Sequence, residues 1–185
     1  NKRILSYLSW RVRRRRLHDP AVLDALIRAV KAQSADHVVV TGDLTQLSLP
    51  EEFDAARQVL EAIGSARNVF VIPGNHDALV PGGWQERLTR WADYVAADEP
   101  DLSGQRAVPV LRVRDPVALI GLSSAHPTRP FSAAGSLGAD QLARCAALLA
   151  EASQRSLYRV LLIHHPPAPV SVSAHKRLLD ADDLG

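Results

Sequence analysis

Three short apolar runs in this chain end in side chains that can bind a metal. His37-Val38-Val39-Val40-Thr41 leads into Gly42-Asp43, and Asn68-Val69-Phe70-Val71-Ile72-Pro73 leads into Gly74-Asn75-His76-Asp77. Val160-Leu161-Leu162-Ile163 leads into His164-His165-Pro166-Pro167. Each run reads as a buried strand, and the carboxyl ends of strands in open α/β sheets are where ligands bind. Asp43 offers a hard anionic oxygen, Asn75 an amide oxygen and His164 an imidazole nitrogen, a mixed set that suits divalent transition metals. Blander roles stay open at two of these positions. Asp43 could be a turn or capping aspartate, and Asn75 a turn asparagine with positive φ. His165 follows His164 directly, so on an extended chain its ring points the other way and packs or supports.

The elements that must position these groups alternate between helix and strand. Asp19 can cap, and Pro20 can open, a helix over 19–34 with Val22, Leu23, Leu26, Ile27 and Val30 on one apolar face. A strand over 37–41 delivers Asp43. A second helix over 50–63 carries Phe53, Ala56, Leu60 and Ile63 inward, with Gly64 past its end. The 68–72 strand delivers the Gly-Asn-His-Asp tetrapeptide, and Trp84, Leu88, Trp91 and Val95 mark a third helix. Residues 108–113 and 117–122 flank Arg114-Asp115-Pro116 as a hairpin. A long helix from 138 to 153 and a strand over 159–163 complete the path to His164. The whole predicts one α/β layered domain over residues 1–185 with a mixed sheet.

Gly42-Asp43, Gly74-Asn75-His76-Asp77 and His164-His165-Pro166-Pro167, in this order and spacing, resemble the calcineurin-like metallophosphoesterase superfamily. The third motif is most similar to its bacterial class III phosphodiesterase-like branch. The resemblance implies an α/β/β/α sandwich of mixed sheets flanked by helices. It implies a metal-dependent phosphoesterase, most directly one that hydrolyses a phosphodiester through a metal-bridging hydroxide. Two divalent ions (manganese, iron or zinc) would be the cofactors, with Asp43, Asn75 and His164 as metal ligands. His76 would protonate the leaving oxygen, with Asn75 stabilising charge beside it. Asp77 would orient His76 or cap the next turn. The family's D-x-H is not found before Asp43, nor its G-H-x-H after His165, so the sandwich is expected to be incomplete at both ends and the chain an internal piece. An incomplete ligand set predicts weak metal binding or a single ion.

Composition bounds the alternatives. At 185 residues, 46% hydrophobic and 23% charged, the chain has the make-up of an ordinary soluble domain with a sizeable core. No apolar run approaches the roughly 20 residues that span a bilayer. The single cysteine, Cys145, excludes an internal disulfide and fits a reducing, cytoplasmic setting. Arg11 to Arg16 form the densest charge run. Without interleaved aromatics, and with a net charge of only +2, nucleic acid is not the expected partner. A solvated basic helix face, or contact with an anionic surface, suits the run better. That contact frames the alternative function, an inactive metallophosphoesterase-like module docking through Arg11–Arg16. His126, after the 117–122 strand, and His175, beside Lys176 and Arg177, are further candidates for the cleft or for a phosphate. Ser123 and Ser124 lack an acid–base partner nearby in sequence, which gives a serine hydrolase little support.

Overall fold

The computed structural model describes residues 2–14, 19–98, 108–168 and 173–184. Among these residues, five strands form two sheets. β1 (Val38–Val40) pairs in parallel with β2 (Val69–Val71), Val39 opposite Phe70. β3 (Val110–Arg114) and β4 (Val117–Gly121) make the expected antiparallel hairpin, and β5 (Tyr158–Leu162) runs parallel to β4. The second sheet is therefore mixed, in the order β3-β4-β5.

The period-2 alternation of strand side chains divides the interior into layers. Val69 and Val71 point from β2 onto Phe53, Ala56 and Leu60 of α3 (Pro50–Ile63), a helix whose bounds match the sequence expectation. Phe70 and Ile72 point the opposite way, onto Val110, Leu119 and Leu162 of the other sheet. The far face of that sheet, through Ile120 and Leu161, meets α6 (Ala139–Gln154), where the Cys145 thiol is buried. Burial raises the pKa of this thiol, as suits a packing residue rather than a nucleophile. The layers run α3, first sheet, second sheet, α6: an α/β/β/α sandwich.

Arg112 lies between the sheets and is almost wholly buried. Its guanidinium donates to the carbonyls of Ala66, Val69, Asp93 and Ala96 and sits 4.6 Å over the Phe70 ring. A planar fork of five N–H groups can satisfy four carbonyls from separate segments, and a hydrophobic residue there could not.

One expectation needs correction. The third helix is not continuous: α4 (Trp84–Leu88) gives way to a 3-10 turn (Thr89–Trp91) and then α5 (Ala92–Val95). The Thr89 hydroxyl donates to the Glu86 carbonyl, and Trp91 is drawn inward to stack on Phe53 while its indole N–H donates to the Phe53 carbonyl. That local competition for carbonyls breaks the α-helical register. α2 (Pro20–Ala32) is capped as expected by Asp19. None of its residues is buried, so its apolar stripe does not join the core.

At the N-terminal end, α1 (Lys2–Ser9) passes into a π-helical turn, Trp10–Arg14. Lys2 donates to the Thr128 hydroxyl and the Ser132 carbonyl, and Arg3 to the carbonyls of Leu47 and Ser48. Arg11 is exposed. The side chains of Arg13 to Arg16 lie outside the described residues.

Candidate active site

The site begins with two loops whose backbones nearly touch. Gly42 and Asp43 both have positive φ, +96° and +59°. Glycine reaches that region without cost, and aspartate is among the few other residues that tolerate it. A Cβ on Gly42 would lie 2.3 Å from the Gly74 nitrogen, and one on Gly74 would lie 2.3 Å from Asp43 Oδ1. Two glycines face to face allow the β1 and β2 loops to share one small volume. Asn75, read above as a possible positive-φ residue, is not one; that conformation falls on Asp43.

Asp77 fastens the two loops. Its carboxylate is fully buried. Oδ2 accepts from the backbone N–H of Asp43 and of Gly74, and Oδ1 from the Thr45 backbone N–H and hydroxyl. The expectation that Asp77 orients His76 or caps the next turn is thereby corrected. The His76 ring is held instead by its Nδ1, 2.9 Å from the Gln46 carbonyl, while its backbone N–H donates to Asp43 Oδ1. Gln46 is placed in turn by Glu52, in the first turn of α3, whose carboxylate accepts from the backbone N–H groups of Gln46, Leu47 and Leu49.

His164 reaches the same volume from the end of β5. Its Nδ1 is 2.7 Å from the Thr41 carbonyl and must carry the proton, which leaves Nε2 with a lone pair. Nε2 lies 3.2 Å from Asn75 Oδ1 and 3.5 Å from Asp43 Oδ1. Asp43 Oδ1 also accepts the His76 backbone N–H, but no donor lies between it, Asn75 Oδ1 and His164 Nε2, and such a convergence of acceptors makes a cation's donor set. The residues present therefore fit a divalent ion, which Asp43, Asn75 and His164 could hold with positions left open. Among the described residues no group of three or more His, Cys, Asp or Glu side chains is placed to hold a metal ion. The set here combines one Asp, one His and one Asn, so it offers ligands enough for one ion rather than two.

The ring of His165 diverges from that of His164 by 87° and enters the interior. Nε2 donates to the Ala133 carbonyl, so Nδ1 accepts the Ser124 hydroxyl proton at 2.7 Å. Ser124 is thus a buried donor to a histidine and not a nucleophile. Burial first, then the neighbouring His164, pushes the His165 pKa down from 6.5 to about 4. Between those values the unfolded chain takes up a proton that the native protein refuses. The stability His165 contributes is complete above about pH 6.5 and is lost as pH falls toward 4. Urea unfolding should show a loss on the order of 2 kcal/mol over this interval that is absent in His165→Asn. Parallel pH profiles for the two proteins would refute the assignment.

His126 rests on the Ser124 carbonyl through Nδ1 at 3.4 Å, and His175 is exposed on a short 3-10 turn (Ala174–Lys176). Among the described residues, no hydrogen bond or ion pair joins either ring to Asp43, Asn75 or His164. The supporting groups that sequence reasoning did not single out are Thr45, Gln46, Glu52 and Ser124. Only Glu52 carried a readable signal, an acid in the first turn behind Pro50.

A family model for calcineurin-like phosphoesterases matches residues 17–183. The chain belongs to that family. Metal-dependent phosphoester hydrolysis, generally with two divalent ions, is the family's common chemistry. Comparison with curated proteins finds no match.

Proposed function

We propose that this chain is a metal-dependent phosphodiesterase whose centre is the Asp43–Asn75–His164 acceptor cluster. The observation that supports it most directly is the fixed proton on His164 Nδ1, which turns the Nε2 lone pair toward two oxygen acceptors. A divalent ion (manganese, iron or zinc) would supply Lewis acidity at the phosphoryl oxygens and make water a better nucleophile near neutral pH. The chain's own groups do the rest. The Asn75 amide stabilises negative charge on the phosphoryl group. The His76 ring, its Nδ1–H held by the Gln46 carbonyl, delivers a proton from Nε2 to the departing oxygen in its doubly protonated form and is left as the neutral Nδ1–H ring.

Manganese titration followed by calorimetry, together with hydrolysis of bis(p-nitrophenyl) phosphate, tests the reading. The cluster should take up about one ion per chain. Asp43→Asn should weaken manganese binding by more than about tenfold, since even outer-shell changes cost that much. His76→Ala should keep the metal and lose about 100-fold in kcat. Unchanged manganese affinity in Asp43→Asn would refute the centre. The alternative, a binding module docked through Arg11–Arg16, draws support from the exposed Arg11. It would show salt-sensitive binding to anionic vesicles with no turnover of any ester.

A further inference from the structure

A groove of about 790 Å³ lies between residues of α2 and α3 and reaches the site. Asp43 and His76 are part of its lining, together with Trp10, Leu26, Leu44 and Val59. We infer that this groove holds the alkyl chain of an amphiphilic phosphodiester, so that the substrate is of lipid type, its phosphate at Asp43 and His76 and its chain against α2. The inference rests on the phosphodiesterase reading and names the substrate class that reading leaves open.

Three observations carry it. The groove is continuous with the reacting groups, so whatever lies in it is joined to the phosphate. Ten of its sixteen lining residues are aliphatic or aromatic, with Asp19, Thr45, Gln46 and Glu52 the polar ones besides Asp43 and His76, so most of a sugar or base laid along it would lose hydration without gaining hydrogen bonds. An alkyl chain loses nothing of that kind and gains roughly two- to fourfold in affinity per buried methylene. The third observation is the unburied stripe of α2, where Val22 and Leu26 are 64% and 58% exposed. A stripe of this kind stays costly in water until something apolar covers it.

The mouth of the groove fits delivery from a lipid surface. α1 is anchored by Lys2 and Arg3 to the loops beside the site. That anchoring leaves Ile4, Leu5 and Leu8 exposed, with Arg11 following in the π-helical turn. Apolar side chains bordered by basic ones are the pattern of a helix that lies in a bilayer interface and attracts anionic lipid.

Two measurements test the proposal separately from the reading beneath it. The first needs no metal and no turnover: n-alkyl phosphates of four to twelve carbons, below their micelle concentrations, are titrated against tryptophan fluorescence. Trp84 and Trp91 are buried, so a blue shift reports Trp10 and should disappear in Trp10→Phe. The dissociation constant should fall roughly two- to fourfold per methylene, and Leu26→Asp should flatten that dependence. The second measurement follows alkyl p-nitrophenyl phosphates of the same lengths with manganese present, where kcat/KM should climb with chain length. A blue shift that ignores chain length, or a dependence that survives Leu26→Asp, overturns the groove assignment. Hydrolysis that is equally fast for methyl and dodecyl esters overturns it as well, while leaving the phosphodiesterase reading intact. If no ester is hydrolysed although the chain-length-dependent binding is seen, the phosphodiesterase reading fails and the groove remains an amphiphile site.

Discussion

Gly74→Ala should cost at least about 100-fold in phosphodiester turnover and remove most manganese binding, although the change adds one methyl group. The added carbon would lie 2.3 Å from Asp43 Oδ1, 2.4 Å from Asp43 N and 2.8 Å from His164 Cε1. No side-chain rotation relieves the second of these contacts, because that atom belongs to the backbone. Asp43 and Gly74 must separate, and both donate to the same Asp77 oxygen, so the separation also breaks a buried hydrogen bond. A displacement near 1 Å at a catalytic group is enough for a loss of about 100-fold. Overpacking of this kind costs about 1–3 kcal/mol in stability as well. Gly82→Ala is the control. Gly82 also has positive φ, yet a Cβ there meets nothing within 4 Å. It should cost about 1–2 kcal/mol of backbone strain and leave manganese affinity alone. If the two variants bind manganese equally well, the close approach of the loops is not what builds the centre.

The contrast between these glycines shows what a sequence conveys and what it withholds. The strands, α3 and α6 were legible because burial imposes a period of 2 or 3.6 on side chains, and that period is written in residue types. The three acceptors were legible because Asp43, Asn75 and His164 stand at strand ends, where the backbone leaves the sheet. The rest depends on main-chain atoms, which every sequence has and none displays. The His76 ring is set by the Gln46 carbonyl, His164 by the Thr41 carbonyl and Arg112 by four carbonyls from separate segments. What the stripe of α2 meets is hidden for a related reason. Periodicity shows that a helix has an apolar face, but not that the core is what the face meets.

Asp77→Asn should be the most damaging near-isosteric change in the protein, lowering stability by about 1–3 kcal/mol at pH 7.5. Burial pushes the Asp77 carboxyl up to about 6, against the pull of its donors, so at pH 7.5 it is ionised and accepts four hydrogen bonds at once. An amide of the same shape has one accepting oxygen. If that oxygen keeps Thr45, the amide nitrogen faces the N–H groups of Asp43 and Gly74, donor against donor. If it turns over, Thr45 loses its partner instead. The first orientation strands two loop N–H groups and the second only the Thr45 N–H, since the Thr45 hydroxyl can still donate to the His76 carbonyl; each stranded donor in this unexposed site costs about 1–3 kcal/mol. The consequence reaches the chemistry through the main chain. Asp43 N and Gly74 N are the two points at which the loops are clamped, and release of either shifts Asp43 Oδ1 away from His164 Nε2. Urea midpoints should therefore fall together with manganese affinity, and Asp77→Glu should rescue neither, because its extra methylene has no room between the loops. A variant that lost activity while keeping its urea midpoint would place Asp77 in the reaction itself rather than in the clamp.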